Sequence, residues 1–119
     1  MTPTSAEDVS IAVVALSQGN CSFAVRGGGH TPFAGAANIE NGVTIDLGAM
    51  DQMTVNENQT ITSIGAGSRW GNVYSKLDTM NLAVSGGRVS DVGVSGLTLG
   101  GILELSGRTW PRFCLGIVS

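Results

Sequence analysis

The sequence predicts an α+β fold, small mixed sheets with flanking helices, and three observations carry that prediction. Two stretches place apolar residues at helical spacing, and between and after them lie short apolar or alternating runs that read as strands. Those runs are punctuated by Gly, Asn and Pro, so each is a short strand ended by a turn. Aromatic residues make up only 5% of a chain that is 42% hydrophobic, so the core must be built from Val, Ile, Leu and Ala. At 119 residues there is room for one domain at most.

Thr4-Ser5-Ala6-Glu7 reads as a capping box, with the Thr4 hydroxyl taking a backbone N–H and Glu7 reaching back. A helix follows, in which Val9, Ala12, Val13 and Leu16 give one apolar face and Gly19-Asn20 supplies the stop. Ser22 to Val25 is then a short buried strand that delivers the chain into a glycine run. After Gly35-Ala36-Ala37 and a turn over 38–42, Val43, Ile45 and Leu47 alternate on one face of a second strand. Met53-Thr54-Val55 and Thr60 to Ile64 flank the polar turn Asn56-Glu57-Asn58-Gln59 and form a hairpin. Ser68 or Arg69 opens a second helix, whose Trp70, Val73, Tyr74 and Leu77 make an apolar stripe of the kind that faces a core. Leu82-Ala83-Val84 is another short strand, feeding a second glycine-dense region over 86–101.

The glycine run Arg26-Gly27-Gly28-Gly29-His30-Thr31 has two readings. Consecutive glycines reach positive φ freely, so their N–H groups can turn inward around an anion and make a phosphate cradle. His30, the only histidine, would then face the same object. The other reading is a tight connection between strands with a solvated histidine. Two glycine-rich loops, each after a strand, can approach one ligand from two sides, but sequence does not fix their distance. A Rossmann fingerprint is excluded, because Gly27 to Pro32 does not fit G-x-G-x-x-G and no helical pattern follows Pro32. No Gly-Lys-Ser/Thr is present either, which excludes a P-loop.

Charge and cysteine content exclude other classes. A net charge of −3 with six Lys plus Arg offers no basic face for nucleic acid. No apolar run is long enough to span a membrane, and the polar Met1 to Thr4 lacks the pattern of a signal peptide. Cys21 and Cys114 form no CxxC, so neither a zinc site nor a redox pair is signalled, and buried free thiols are expected. Asn20-Cys21-Ser22 and Asn58-Gln59-Thr60 match the N-glycosylation sequon, which matters only in a secreted chain.

Several blocks of the chain together resemble the FAD-linked oxidoreductases of the vanillyl-alcohol oxidase and berberine-bridge-enzyme type, most of all their fungal secondary-metabolism branch. They run from Pro3 to Val9, Phe23 to His30, Gly42 to Leu47, Gly65 to Tyr74, and Gly86 to Gly101, in the family's order. The resemblance implies the N-terminal part of a PCMH-type FAD-binding domain over residues 1–101. It implies that the loop Arg26, Gly27, Gly28, Gly29, His30, Thr31 holds the FAD pyrophosphate, and that Gly86, Gly87, Val92, Gly93, Val94 and Gly96 also line the cofactor. The histidine after the glycines is commonly bonded to the flavin 8α-methyl, which here is His30. Some relatives add a cysteinyl bond, but Val89 stands at the aligned position, so a single tether is expected. The implied reaction is an oxidation in which hydride passes from a small-molecule substrate to the flavin, and dioxygen typically reoxidises it. Full-length relatives of this type are often secreted.

Beyond Gly101 the family pattern calls for a third glycine and an aromatic-rich turn, whereas this chain continues Ile102-Leu103-Glu104-Leu105-Ser106. Residues 102–119 are therefore expected to be a divergent C-terminal tail. A full domain of this type needs roughly twice this length, so half of the cofactor envelope is expected to be missing and strand edges to be left open. The expectation is a fragment with little or no activity alone. Its alternative is a non-catalytic module that binds a partner chain supplying the other half.

Overall fold

A computed structural model describes residues 1–101 and, as backbone, residues 113–118. Helix α1 spans Ala6–Gln18, and its capping box sits one residue later than expected. Ser5 rather than Thr4 is the N-cap, and Asp8 rather than Glu7 closes the box. The cause is local: Asp8 Oδ2 accepts from the N–H groups of Thr4 and Ser5 and from the Thr4 hydroxyl, at 3.0–3.1 Å. Ser5 Oγ accepts from the Asp8 N–H in return, at 3.1 Å. The Thr4 backbone N–H, with the Thr4 and Ser5 hydroxyls, holds the Asp8 carboxyl below its ordinary range. The helix stops as expected, with Gly19 bonded back to Ala15 and Ser17 and Asn20 at φ 49°.

Strands β1 (Phe23–Arg26) and β2 (Val43–Asp46) pair in parallel, in the register Phe23↔Val43 to Arg26↔Asp46. Val9, Ala12, Val13 and Leu16 of α1 pack with Phe23, Ile45 and Leu47 into one core. β1 is not the buried strand that its apolar run suggests: Val25 is 46% exposed. Among the described residues β1 has no strand beside it other than β2, so this edge strand is left without a neighbour to cover Val25. Leu47, expected to end β2, begins a 3-10 turn, Leu47–Ala49, and stays buried.

The expected hairpin is present, β3 (Met53–Val55) antiparallel to β4 (Ile61–Ile64). Its turn is held by Asn56 Oδ1, which accepts from the N–H groups of Thr60 and Ile61 at 2.8 and 2.9 Å. β5 (Ala83–Val84) and β6 (Phe113–Val118) complete a mixed sheet of order β3-β4-β6-β5, with β6 parallel to both neighbours. β6 lies in the segment expected to be a divergent tail; the rest of that segment falls outside the described residues.

Helix α2 (Trp70–Asp78) places Trp70, Val73 and Leu77 against Met53, Ile64, Leu82 and Val94 in a second core, with Tyr74 packed at its border. The stripe is therefore core, as its spacing predicts. Helix α3 (Val94–Gly100) is not anticipated by the sequence, which reads there as a glycine-dense loop. Tertiary contact overrides the low helix propensity: Val94 is fully buried and its N–H donates to the Ser68 carbonyl at 2.9 Å. Cys21 corrects another expectation, since it is exposed, its S–H donating to the Gly19 carbonyl at 3.5 Å. The side chain of Cys114 lies outside the described residues. Among the described residues no helix is long and apolar enough to cross a membrane.

Candidate functional site

The two glycine segments meet. The first leaves β1 at the end of one core, and the second enters α3 at the end of the other. Residues 90–94 are laid beside 68–71 by backbone bonds: Gly71 N–H to the Ser90 carbonyl at 2.9 Å, Trp70 N–H to Val92 at 3.1 Å, Val94 N–H to Ser68 at 2.9 Å. That pairing brings Gly93 onto Gly28. A Cβ on either glycine would stand 2.6 Å from the Cα of the other and closer still to its nitrogen, so only hydrogens fit between the chains. Ser95 lies against Gly27 through its side chain, its hydroxyl standing where a Cβ on Gly27 would go.

An open cleft of about 380 Å³ runs along this junction. Gly27 to Thr31 line one side, and Val92, Gly93, Gly96 and Leu97 the other. Val25, Ala36 and Ala37 complete it, and His30 is exposed at its edge. Gly29 takes φ 66°, a left-handed conformation natural to glycine. Among the described residues, the N–H groups of Gly28, Gly29, His30 and Thr31 have no protein acceptor. Consecutive free donors walled by side-chain-free backbone suit a phosphate group, so the residues present fit the pyrophosphate of FAD.

Not every sequence-predicted residue reaches that cleft. Arg26 lines a second, more polar cleft of about 420 Å³, along with Asn38, Asp46, Arg69 and Asn72. Val94 is fully buried in the α2 core. Gly86 and Gly87 lie flat on the indole of Trp70, where a Cβ at either would strike the ring. The Tyr74 hydroxyl fastens them by donating to the Gly87 carbonyl at 2.7 Å, and its ring stacks on Trp70 at 5.7 Å. Sequence reasoning missed Leu97, Ala36 and Ala37 as cleft residues. The small size of Gly35-Ala36-Ala37 was the available signal, since it permits close approach.

Asp46 carries the clearest electrostatic perturbation near the site. Its hydrogen bonds from Arg26, then that from the Gly48 N–H, hold its carboxyl below the ordinary aspartate value of 3.8. A carboxyl depressed on folding contributes stability that is fully present above the unfolded value and is lost as pH falls through the folded one. Denaturant midpoints measured from about pH 5 down to about pH 2 should therefore fall more steeply for the native chain than for Asp46→Asn. Parallel slopes would show that the pair adds nothing to pH-dependent stability.

A sheet-and-helix frame that brings two glycine loops edge to edge beside an open cleft suits a nucleotide cofactor of the flavin kind. Residues 1–116 match the model of the FAD binding domain family, and the chain belongs to that family. It is 44% identical over 100 residues to the FAD-dependent monooxygenase tpcD of Cochliobolus heterostrophus, a match that covers 84% of this chain and 19% of the relative. With the FAD-dependent monooxygenase sdcF of Emericella nidulans it shares 46% identity over 117 residues, 97% of this chain and 24% of that one. Among solved structures, glucooligosaccharide oxidase from Acremonium strictum superimposes with a TM-score of 0.72 at 31% identity, over 84% of this chain and 21% of the oxidase. That oxidase carries a 6-S-cysteinyl, 8α-N1-histidyl FAD. The family, its FAD cofactor and the α+β fold thus agree with the sequence reading. The chain spans about a fifth of the length of the relatives it matches.

Proposed function

We propose that this chain supplies the N-terminal part of the FAD site of an oxidoreductase acting on a small organic or secondary-metabolite substrate. Gly27 to Thr31 would hold the pyrophosphate on backbone N–H groups, and His30 stands where the single tether to the flavin would be made. When bound, FAD supplies the capacity to accept a hydride. The residues of this chain bind and orient it: the loop fixes the phosphates, and Val92, Gly93 and Gly96 wall the cleft from the other side. The observation that carries the reading is that, among the described residues, the N–H groups of Gly28 to Thr31 have no protein acceptor, with Gly93 of the second glycine segment packed against Gly28.

The chain alone is expected to have little or no activity. The chain spans about a fifth of the length of the relatives it matches, so further polypeptide supplies the substrate side, and a second reading has it come from a partner chain, with this chain a non-catalytic module. The test is the visible spectrum of the chain purified from a riboflavin-supplied host, before and after acid precipitation. Yellow colour that stays with the pellet, and is lost in His30→Ala, is the expected result. Colour released to the supernatant would remove the tether, and a colourless protein would remove the cofactor from this chain.

A further inference from the structure

The sequence offers Arg26 as a group toward the cofactor, but its guanidinium is engaged elsewhere. Nε and one terminal nitrogen both donate to Asp46 Oδ2, at 3.2 and 2.5 Å, and the other terminal nitrogen donates to Asn38 Oδ1 at 3.0 Å. Three of its five N–H donors are thereby used within the protein, and its charge is met by a carboxylate. Asp46 is itself held from a second side, because Oδ1 accepts from the Gly48 N–H at 3.0 Å.

The placement of these groups has a mechanical consequence. Arg26 and Asp46 are register partners at the last positions of β1 and β2, so the parallel pairing puts both side chains on one face. Asn38 comes from the connection between those strands, beyond the glycine run. The contacts therefore tie the start of the loop, a point past it and the neighbouring strand to one guanidinium. Gly29 rests on the stem of that side chain, a Cβ there lying 3.2 Å from Arg26 Cδ. Arg26 lines the polar cleft, which shares Gly27, Gly28 and Gly29 with the one edged by His30.

We infer that Arg26, Asp46 and Asn38 form a clamp that sets the shape of the glycine loop, with Arg26 a positioning residue and not a ligand of the cofactor phosphate. The cofactor half of this inference rests on the FAD reading above. The two roles for Arg26 predict opposite results. If Arg26 were a phosphate ligand, Asp46→Asn would free the guanidinium and leave FAD affinity unchanged or tighter. Under the clamp, Asp46→Asn slackens the loop and weakens FAD binding 10-fold or more. Arg26→Lys, which keeps the charge but not the planar fork, should do the same.

The experiment is ¹⁵N relaxation of Gly27 to Thr31 in the His30→Ala chain, which cannot form the tether, freed of flavin and then titrated with FAD itself. Order parameters near the rigid value of about 0.85 should fall below about 0.6 in Asp46→Asn, while those of α2 stay unchanged. A change confined to the loop is one that a general loss of stability does not produce. Asn38→Ala, which removes one arm only, provides the second variant and should give a smaller fall of the same sign. Unchanged loop order in both variants, or tighter FAD binding by Asp46→Asn, would overturn the clamp. If the unsubstituted chain binds no FAD, the cofactor reading fails, and the clamp still stands or falls on the order parameters.

Discussion

Gly93→Ala is expected to cost about 3 kcal/mol of stability and to abolish most FAD binding, whereas Gly96→Ala, three residues along the same cleft, should gain up to about 1 kcal/mol. Backbone angles do not explain the difference, since Gly93 sits at φ −69°, ψ 141°, which alanine adopts freely. What a methyl at 93 meets is main chain: its Cβ would lie 2.6 Å from the Cα of Gly28. A long side chain could swing aside, but backbone cannot, so the two loops must part. Separating them opens the cleft and detaches one core from the other, which puts the cost at the upper end for overpacking. At Gly96 a Cβ meets nothing within 4 Å, and alanine replaces glycine inside α3. Denaturant midpoints of the two variants, with FAD titrations beside them, give the comparison. Equal behaviour of the two would mean that contact between the loops is not what holds the site together.

That pair also marks the boundary of what the sequence could reveal. α1, the β3-β4 hairpin and α2 were legible because each is specified by neighbours in the chain: a capping box, a polar turn that Asn56 closes, a stripe at three- and four-residue spacing. α3 was not, because Gly93, Gly96 and Gly100 argue for a loop, and what holds the segment helical is the burial of Val94 and its bond to Ser68. Long-range register was equally hidden. Arg26 and Asp46 are twenty positions apart, and only the parallel alignment of β1 with β2 makes them partners. The glycine run left a cradle and a plain tight connection open from its residues alone, and what stands opposite it depends on residues 90–94 lying beside 68–71. Family resemblance named Gly86, Gly87, Val92, Gly93, Val94 and Gly96 of the second glycine block as cofactor-lining. The fold divides it, with Val92, Gly93 and Gly96 at the cleft and Gly86 and Gly87 on Trp70.

Among the described residues, Trp70→Ala should then be the most damaging truncation, at about 4 kcal/mol, and its effect should extend to Gly86. The indole is only 3% exposed and packs with Val73, Leu77 and Val94, so its removal leaves a cavity that rigid neighbours refill poorly. The stack on Tyr74 is lost as well, and with it the support for the hydroxyl that holds Gly87. Because such a loss is a large share of a small domain's stability, Trp70→Leu is the better background for measuring coupling. Gly86→Ala alone should cost about 2 kcal/mol, since the nearest atoms a Cβ there would meet belong to the Trp70 ring. With leucine at 70 the same substitution should cost at least about 1 kcal/mol less, a coupling of the size seen for residues in contact. If Gly86→Ala instead weakens FAD binding while leaving the denaturation midpoint unchanged, Gly86 serves the cofactor directly. The expected result is the reverse: a lower midpoint, with FAD affinity preserved wherever the chain remains folded, which makes the Gly86-Gly87 turn the roof of the α2 core.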